Sequence, residues 1–219
     1  MKSPKLMEEW YTVNVLTIVT HPRRDALTLA VAERFVEGLK AAGHETEVLD
    51  LYRSGFDPVL RESDEPDWTA GQQVYSPAVE EEMARLQRQD ALAFVFPLWW
   101  WSMPAMMKGY IDRVWNYGFA YGPQRLQHRQ VLWLTLAGAP PEKLVKRRYD
   151  QMIEHYFNEG IASYCGIARS SVELLYDTVP GPATAEQASH WLAKAYELGL
   201  HYEDIATYQQ PPAGSARGL

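Results

Sequence analysis

Cysteine is nearly absent from this chain: Cys165 is the only one among 219 residues. One thiol excludes an internal disulfide framework and any cysteine-based zinc cage, and a reducing compartment suits it best. Positive charge is also short, with Lys+Arg 21 against Asp+Glu 28 and a formal net charge of −7. No general basic field exists to draw nucleic acid or anionic lipid, so any anionic ligand has to be captured locally. No segment approaches the ~20 unbroken apolar residues that span a bilayer, and residues 1–10 lack the apolar stretch of a signal peptide. The expectation is a cytoplasmic protein without membrane insertion. Glycine patterns of the GxGxxG or Walker type are missing, and so is ligand spacing such as HExxH, so no metal site is expected.

Aromatic residues, in contrast, are abundant: 8 Trp and 13 Tyr, three of the Trp consecutive at residues 99–101. Hydrophobic residues at 47% and charged residues at 22% match ordinary globular usage and exclude a disordered or coiled-coil chain. The length allows one large domain, which we expect over residues 1–206, with a loose tail over 207–219.

Periodicity alternates between strand and helix. Residues 12–20 are short and β-branched, the pattern of a strand buried on both faces; residues 27–42 follow with helical spacing, and Gly43 is placed to end that helix. Residues 44–51 read as a second strand, completing a βαβ unit. Residues 52–76 lack a sustained period and read as a long surface loop. Further helices are expected at 77–89, 103–117, 141–157 and 184–206, and further strands at 90–97, 131–137 and 171–176. Five strands alternating with helices give a doubly wound α/β fold, whose ligands bind beyond the carboxyl ends of the strands. Residues 21–28, 97–104 and 136–141 occupy those positions.

The first of these places free helix amides near Ala26, Leu27 and Thr28, an anion site that His21, Arg23 or Arg24 would assist. A plain chain turn with two solvent-facing arginines accounts for it as well, and Asp25 would repel phosphate. The second brackets Trp99, Trp100 and Trp101 between Pro97 and Pro104, so that at least one indole lines a cleft for a flat aromatic ligand. Lys108, Asp112 and Arg113 read as surface or capping charges.

The stretch Phe96-Pro97-Leu98-Trp99-Trp100-Trp101-Ser102-Met103-Pro104-Ala105-Met106-Met107-Lys108-Gly109-Tyr110-Ile111-Asp112-Arg113-Val114-Trp115, with Phe119-Ala120-Tyr121-Gly122, resembles the flavodoxin-like NAD(P)H:quinone oxidoreductases. This family includes the mammalian quinone reductases and bacterial relatives, among them ancillary proteins of potassium-efflux systems. Thr20-His21-Pro22, Asp50-Leu51-Tyr52, Phe56-Asp57-Pro58 and Tyr164-Cys165-Gly166 extend the resemblance. It implies a five-stranded parallel sheet of order 2-1-3-4-5 and a noncovalent flavin, FMN or FAD. It also implies ping-pong hydride transfer from NAD(P)H to quinones; a pocket that selects by flatness would also admit azo dyes and nitroaromatics.

Carried over by position, the resemblance gives His21, Ala26, Leu27 and Thr28 the flavin phosphate. Pro97, Leu98, Trp99, Trp100 and Trp101 take one edge of the isoalloxazine, and Leu136, Ala137, Gly138 and Ala139 close its other side. Trp100 and Trp101 would line the substrate pocket, with Phe119 and Tyr121 reaching across a homodimer to cover the partner's pocket. Two departures stand out: Ala26 replaces a hydroxyl residue, and Leu136-Ala137-Gly138-Ala139 replaces Thr-Thr-Gly-Gly. The family's Tyr and His after that segment do not align. Tyr149 and His155 are the weak catalytic candidates here, and a solvated helix face is the plainer account. Lys146, Arg147 and Arg148 could meet a cofactor phosphate or be ordinary surface charge. A flavodoxin-type electron carrier, a regulatory partner of a membrane transporter, and a binding module with core aromatics are the alternatives.

Overall fold

A computed structural model describes residues 12–179 and 184–205, with side chains left undescribed at 184–186; the expected tail at 207–219 lies outside the described residues. The strands are β1 (Asn14–Val19), β2 (Glu45–Asp50), β3 (Ala91–Pro97), β4 (Gln130–Leu136) and β5 (Arg169–Leu175). They form one parallel sheet of order β2-β1-β3-β4-β5, the order that the family resemblance implies. β3 and β4 are buried at every position, which is why both read as continuous apolar runs rather than alternating ones.

Alternation of side chains across the sheet builds two cores. Leu16, Ile18, Phe94, Phe96 and Trp133 face α2 (Pro77–Gln87) and α3 (Ala105–Val114). Val15, Val19, Ala93, Val95, Leu132 and Leu134 face α1 (Leu27–Ala41) and α6 (Thr184–Leu200). α1 and α6 touch backbone to backbone: a Cβ on Gly38 would lie 2.1 Å from the Tyr196 carbonyl, and one on Gly199 2.1 Å from that of Phe35. In this winding the carboxyl ends of β1, β3 and β4 lie side by side, so the three segments singled out in the sequence become neighbours.

Three expectations are corrected. The helix expected at 141–157 is α4 (Pro141–Lys146), then α5 (Tyr149–His155), then a π-helix at Tyr156–Ser163. Leu144 and Ile153 are both buried in the same core, yet nine residues at 3.6 per turn would put them on opposite sides of one straight helix. The chain resolves this at Arg148, whose left-handed φ of 58° separates α4 from α5. The last helix ends at Leu200 rather than near 206, because Tyr202 turns inward and its hydroxyl donates to the Leu92 carbonyl at 2.8 Å.

Arg113 is not a surface charge. It is buried and pairs with the equally buried Asp64 at 2.7 Å, and its guanidinium also donates to the Asp57 carbonyl. Residues 52–76 are thereby fastened to α3, and Asp64 belongs to a short 3-10 turn, Glu62–Asp64. Lys108 and Asp112, in contrast, form the exposed pair expected of surface charges. Cys165 is buried, which pushes its thiol up to about 11 although Arg125 pulls the other way.

Candidate functional site

β1 hands over to α1 through residues 20–26. Ala26 is the N-cap residue; it offers no side-chain cap, and the first turn of α1 carries no acidic residue. The amides of Leu27 and Thr28 are among those that a helix cannot pair internally, and they sit at the positive end of its dipole. Ala26 and Thr28 are buried, so what this loop presents outward is chiefly backbone. Arg23 and Arg24 are exposed, and Arg23 leans on Asp25 at 3.6 Å. Asp25 thus lies outside the helix, with its charge partly matched.

His21 is held in one orientation. Its Nδ1 accepts the Arg23 amide at 3.1 Å, so the neutral ring carries its proton on Nε2. Burial, helped by the charges of Arg23 and Arg53, holds this imidazole below its ordinary pKa. Arg53 is a residue the sequence reading misses. It donates to the His21 carbonyl and to that of Pro22 at 3.3 Å, while Asp50 at the end of β2 pairs with it at 3.5 Å. The available signal was the Asp50, Arg53 spacing just past a strand, which places both side chains beside the β1 loop.

The second segment begins where Leu98 N–H donates to the Leu136 carbonyl at 2.8 Å, carrying the β3–β4 ladder past Pro97. Trp99 and Ser102 then exchange backbone hydrogen bonds of 3.0 and 3.1 Å around Trp100 (φ 53°) and Trp101 (φ 62°). Left-handed φ at both central positions is the demand of a type I′ turn, normally met by Asn and Gly. For residues as bulky as Trp, the conformation costs on the order of 1–2 kcal/mol each. The turn consumes the amides of Trp99 and Ser102 and leaves those of Trp100 and Trp101 outside its own hydrogen bonds.

The three indoles diverge. Trp99 stands edge-on to His21, with ring centroids 6.1 Å apart at 62°. Trp100 projects into solvent at 94% exposure. Trp101 stacks on Tyr149, centroids 4.2 Å apart at 25°. Pro97 is buried and Leu98 half-buried, so these two support the turn from below.

After β4, Ala137 donates to the Leu175 carbonyl at 2.7 Å, and the carbonyls of Ala137 and Ala139 accept from Thr178 (3.1 Å) and Asp177 (3.3 Å). These carbonyls are therefore engaged, leaving exposed Gly138 as the open point of the segment. A Cβ there would lie 2.6 Å from a Val179 methyl.

The structure brings His21, residues 26–28, 97–101 and 136–139 to one edge of the sheet and leaves Phe119 and Tyr121 elsewhere. The segment from α3 to β4 runs at the amino edge. Phe119 lines a cavity of about 380 Å³ together with Asp90 and Arg129, which precede β3 and β4. Tyr121 sits between Tyr117 (5.7 Å) and Tyr164 (5.8 Å), and Tyr117 also packs on exposed Trp68 at 4.8 Å. Lys146, Arg147, Arg148 and His155 are exposed, as a solvated face requires. Tyr149 departs from that face, because α5 turns it onto Trp101.

Comparison with known proteins agrees with this geometry. Residues 13–198 match the Flavodoxin_2 family, described as a flavodoxin-like fold. A protein of Escherichia coli (strain K12) named as the uncharacterized NAD(P)H oxidoreductase YcaK is 39% identical over 178 residues, 81% of this chain and 90% of that protein. A protein of Haemophilus influenzae named as an uncharacterized NAD(P)H oxidoreductase is 30% identical over 172 residues, 75% of this chain and 84% of its own length. Among solved structures, the NAD(P)H:quinone oxidoreductase from Methanothermobacter marburgensis superposes with a TM-score of 0.79 at 33% identity, covering 88% of this chain and 98% of that one. The sheet order, the loops at its carboxyl edge and these similarities make the chain a member of the flavodoxin-like family that includes these NAD(P)H oxidoreductases.

Proposed function

We propose that this chain is a flavin-dependent NAD(P)H:quinone oxidoreductase. The observation that carries the reading is the turn at 99–102. It holds two bulky residues left-handed, with their amides outside the turn's own hydrogen bonds, at the ends of β3 and β4, and such strain persists where function demands it. The named activities of the relatives support the same reading.

The residues present fit a noncovalent flavin. The uncapped, acid-free start of α1 suits a phosphate, which the amides of Leu27 and Thr28 would hold with His21 Nε2–H as a neutral donor. Arg53 keeps that loop in place through the His21 and Pro22 carbonyls. The amides of Trp100 and Trp101 would meet the ring's polar edge and stabilise negative charge there, with Leu98 beneath and Gly138 facing them. When bound, the flavin supplies the ability to accept a hydride and pass it on. The protein's part is to orient flat partners and keep water away, and no side-chain acid or base is needed for that. NAD(P)H and acceptor use the slot in turn, a ping-pong order, and selection by flatness admits azo dyes and nitroaromatics beside quinones.

Phe119 and Tyr121 lie away from this slot in their own subunit, so a homodimer in which the partner copy supplies them, as the family resemblance implies, belongs to the proposal. A cytoplasmic location goes with it; among the described residues, no helix is long and apolar enough to cross a membrane.

The test is the visible spectrum of the protein after incubation with FMN or FAD and desalting, followed by anaerobic NADH or NADPH and then a quinone. Retained yellow colour that bleaches with the nicotinamide and returns with the quinone is the expected result. Protein that keeps no flavin, or flavin that no nicotinamide bleaches, refutes the assignment.

A further inference from the structure

Two left-handed non-glycine positions from distant parts of the chain converge on one contact. Trp101 has φ 62°, and Arg148, with φ 58°, directly precedes Tyr149, the ring stacked on Trp101. Each such backbone position survives only where surrounding contacts over-determine it. On the Trp101 side those contacts are the two backbone bonds of the turn, packing against the core and the Tyr149 ring. On the Arg148 side they are the burial of Leu144 before the break and of Ile153 after it. α5 therefore starts where it must for Tyr149 to lie flat against the indole.

We propose that Tyr149 is a positioning residue of the acceptor site: by stacking on Trp101 it fixes the turn at 99–102 and holds that indole as a wall of the slot. The role belongs to the ring face and not to the hydroxyl. Geometry supports this, since stacked rings 4.2 Å apart at 25° make their contact through their faces. Without the ring, the Trp101 indole would lose its stacked neighbour, its unfavourable φ would be opposed by fewer contacts, and the slot would lose a fixed side. Because the slot itself belongs to the proposed oxidoreductase function, this inference rests on that reading.

The experiment compares wild type with Tyr149→Ala and Tyr149→Phe, using 1,4-naphthoquinone as the probe. KM and kcat are measured on flavin-loaded protein, and the quinone's Kd by equilibrium dialysis on the protein as purified. An aromatic stack is worth about 0.5–1.5 kcal/mol, so Tyr149→Ala is expected to raise KM and Kd roughly two- to thirteenfold, with kcat within about twofold. Tyr149→Phe keeps the stack and should match wild type, and near-ultraviolet circular dichroism should change in the Ala variant alone. An unaltered Kd in Tyr149→Ala overturns the inference. So does a Phe variant as impaired as the Ala variant, which would make the hydroxyl the working group. If wild type turns over no quinone, the oxidoreductase reading fails while dialysis still judges the stack; if it binds none either, both fall.

Discussion

The guanidinium of Arg113 and the carboxylate of Asp64 form a buried ion pair, 2.7 Å apart, that joins α3 to the chain between β2 and α2. Asp64 also accepts the Ser76 amide at 2.8 Å, and its carbonyl takes Asn116 Nδ2 at 2.7 Å. Removing one partner strands a buried charge, so Arg113→Met should cost about 3–5 kcal/mol in urea unfolding. The double variant Arg113→Met, Asp64→Leu should recover part of that loss. The pair also has a pH signature. Burial pushes the Asp64 carboxyl up, but its bonds from Arg113 and Ser76 outweigh this and hold it below the usual carboxylate range. Its stabilising contribution is therefore full above the unfolded value of about 3.9 and lost as pH falls through the depressed native one. Acid unfolding of Arg113→Met should begin at higher pH than in wild type.

Trp100 should be a site where stability and activity part company. Its ring is 94% exposed and contributes almost no burial, while its φ of 53° is one that glycine adopts freely. Trp100→Gly is expected to raise thermal stability by about 1 kcal/mol and to lower acceptor turnover. A fall in both would show that the ring has a structural partner.

His21 should titrate below the ordinary histidine range, because burial and the neighbouring arginines disfavour its charged form. Stability should thus rise with pH between its lowered native value and the unfolded value of about 6.5, and be independent of this group above. Nuclear magnetic resonance of the ring carbons, with His21→Gln to assign them, measures the midpoint. A value above 6.5 would contradict the arrangement.

Gly199→Ala should separate α6 from α1, since the new methyl would meet the Phe35 carbonyl and Leu39 amide at 2.1 and 2.8 Å. Neither neighbour is a flexible side chain, and overpacking of this kind costs about 1–3 kcal/mol. Urea midpoints of this variant and of Gly38→Ala should fall together.

Tyr121→Ala should leave the fold intact and impair the acceptor reaction through the other subunit. When it is mixed with an inactive Trp101 variant in co-expressed heterodimers, one of the two shared sites should regain both wild-type residues, and activity should return. Absence of recovery in confirmed heterodimers would place Tyr121 outside the site.

The five strands and the three loops were legible because each buried strand is a short β-branched or apolar run, followed by a helix of opposite periodicity. β3 ending at Pro97 is an instance. The sheet order was legible only through the family resemblance. Arg113, Arg53 and the stack of Tyr149 were not legible. Arg113 lies 49 residues from Asp64, and nothing local in the sequence distinguishes a buried ion pair from a surface one. Arg53 acts on backbone carbonyls, and only its spacing from Asp50 marks it in the sequence. The break at Arg148 was hidden because 141–157 shows acceptable helical spacing throughout, and only the common burial of Leu144 and Ile153 forces the bend.

The lone thiol gains meaning from its surroundings. Quinones alkylate thiolates, and reduced flavoproteins exposed to air release peroxide that oxidises them, so a protein with this proposed chemistry bathes in reagents hostile to cysteine. With its pKa near 11 and its sulfur buried, Cys165 keeps roughly one molecule in ten thousand as thiolate at neutral pH. Under the proposed function, such electrophiles would meet almost no thiolate on this chain.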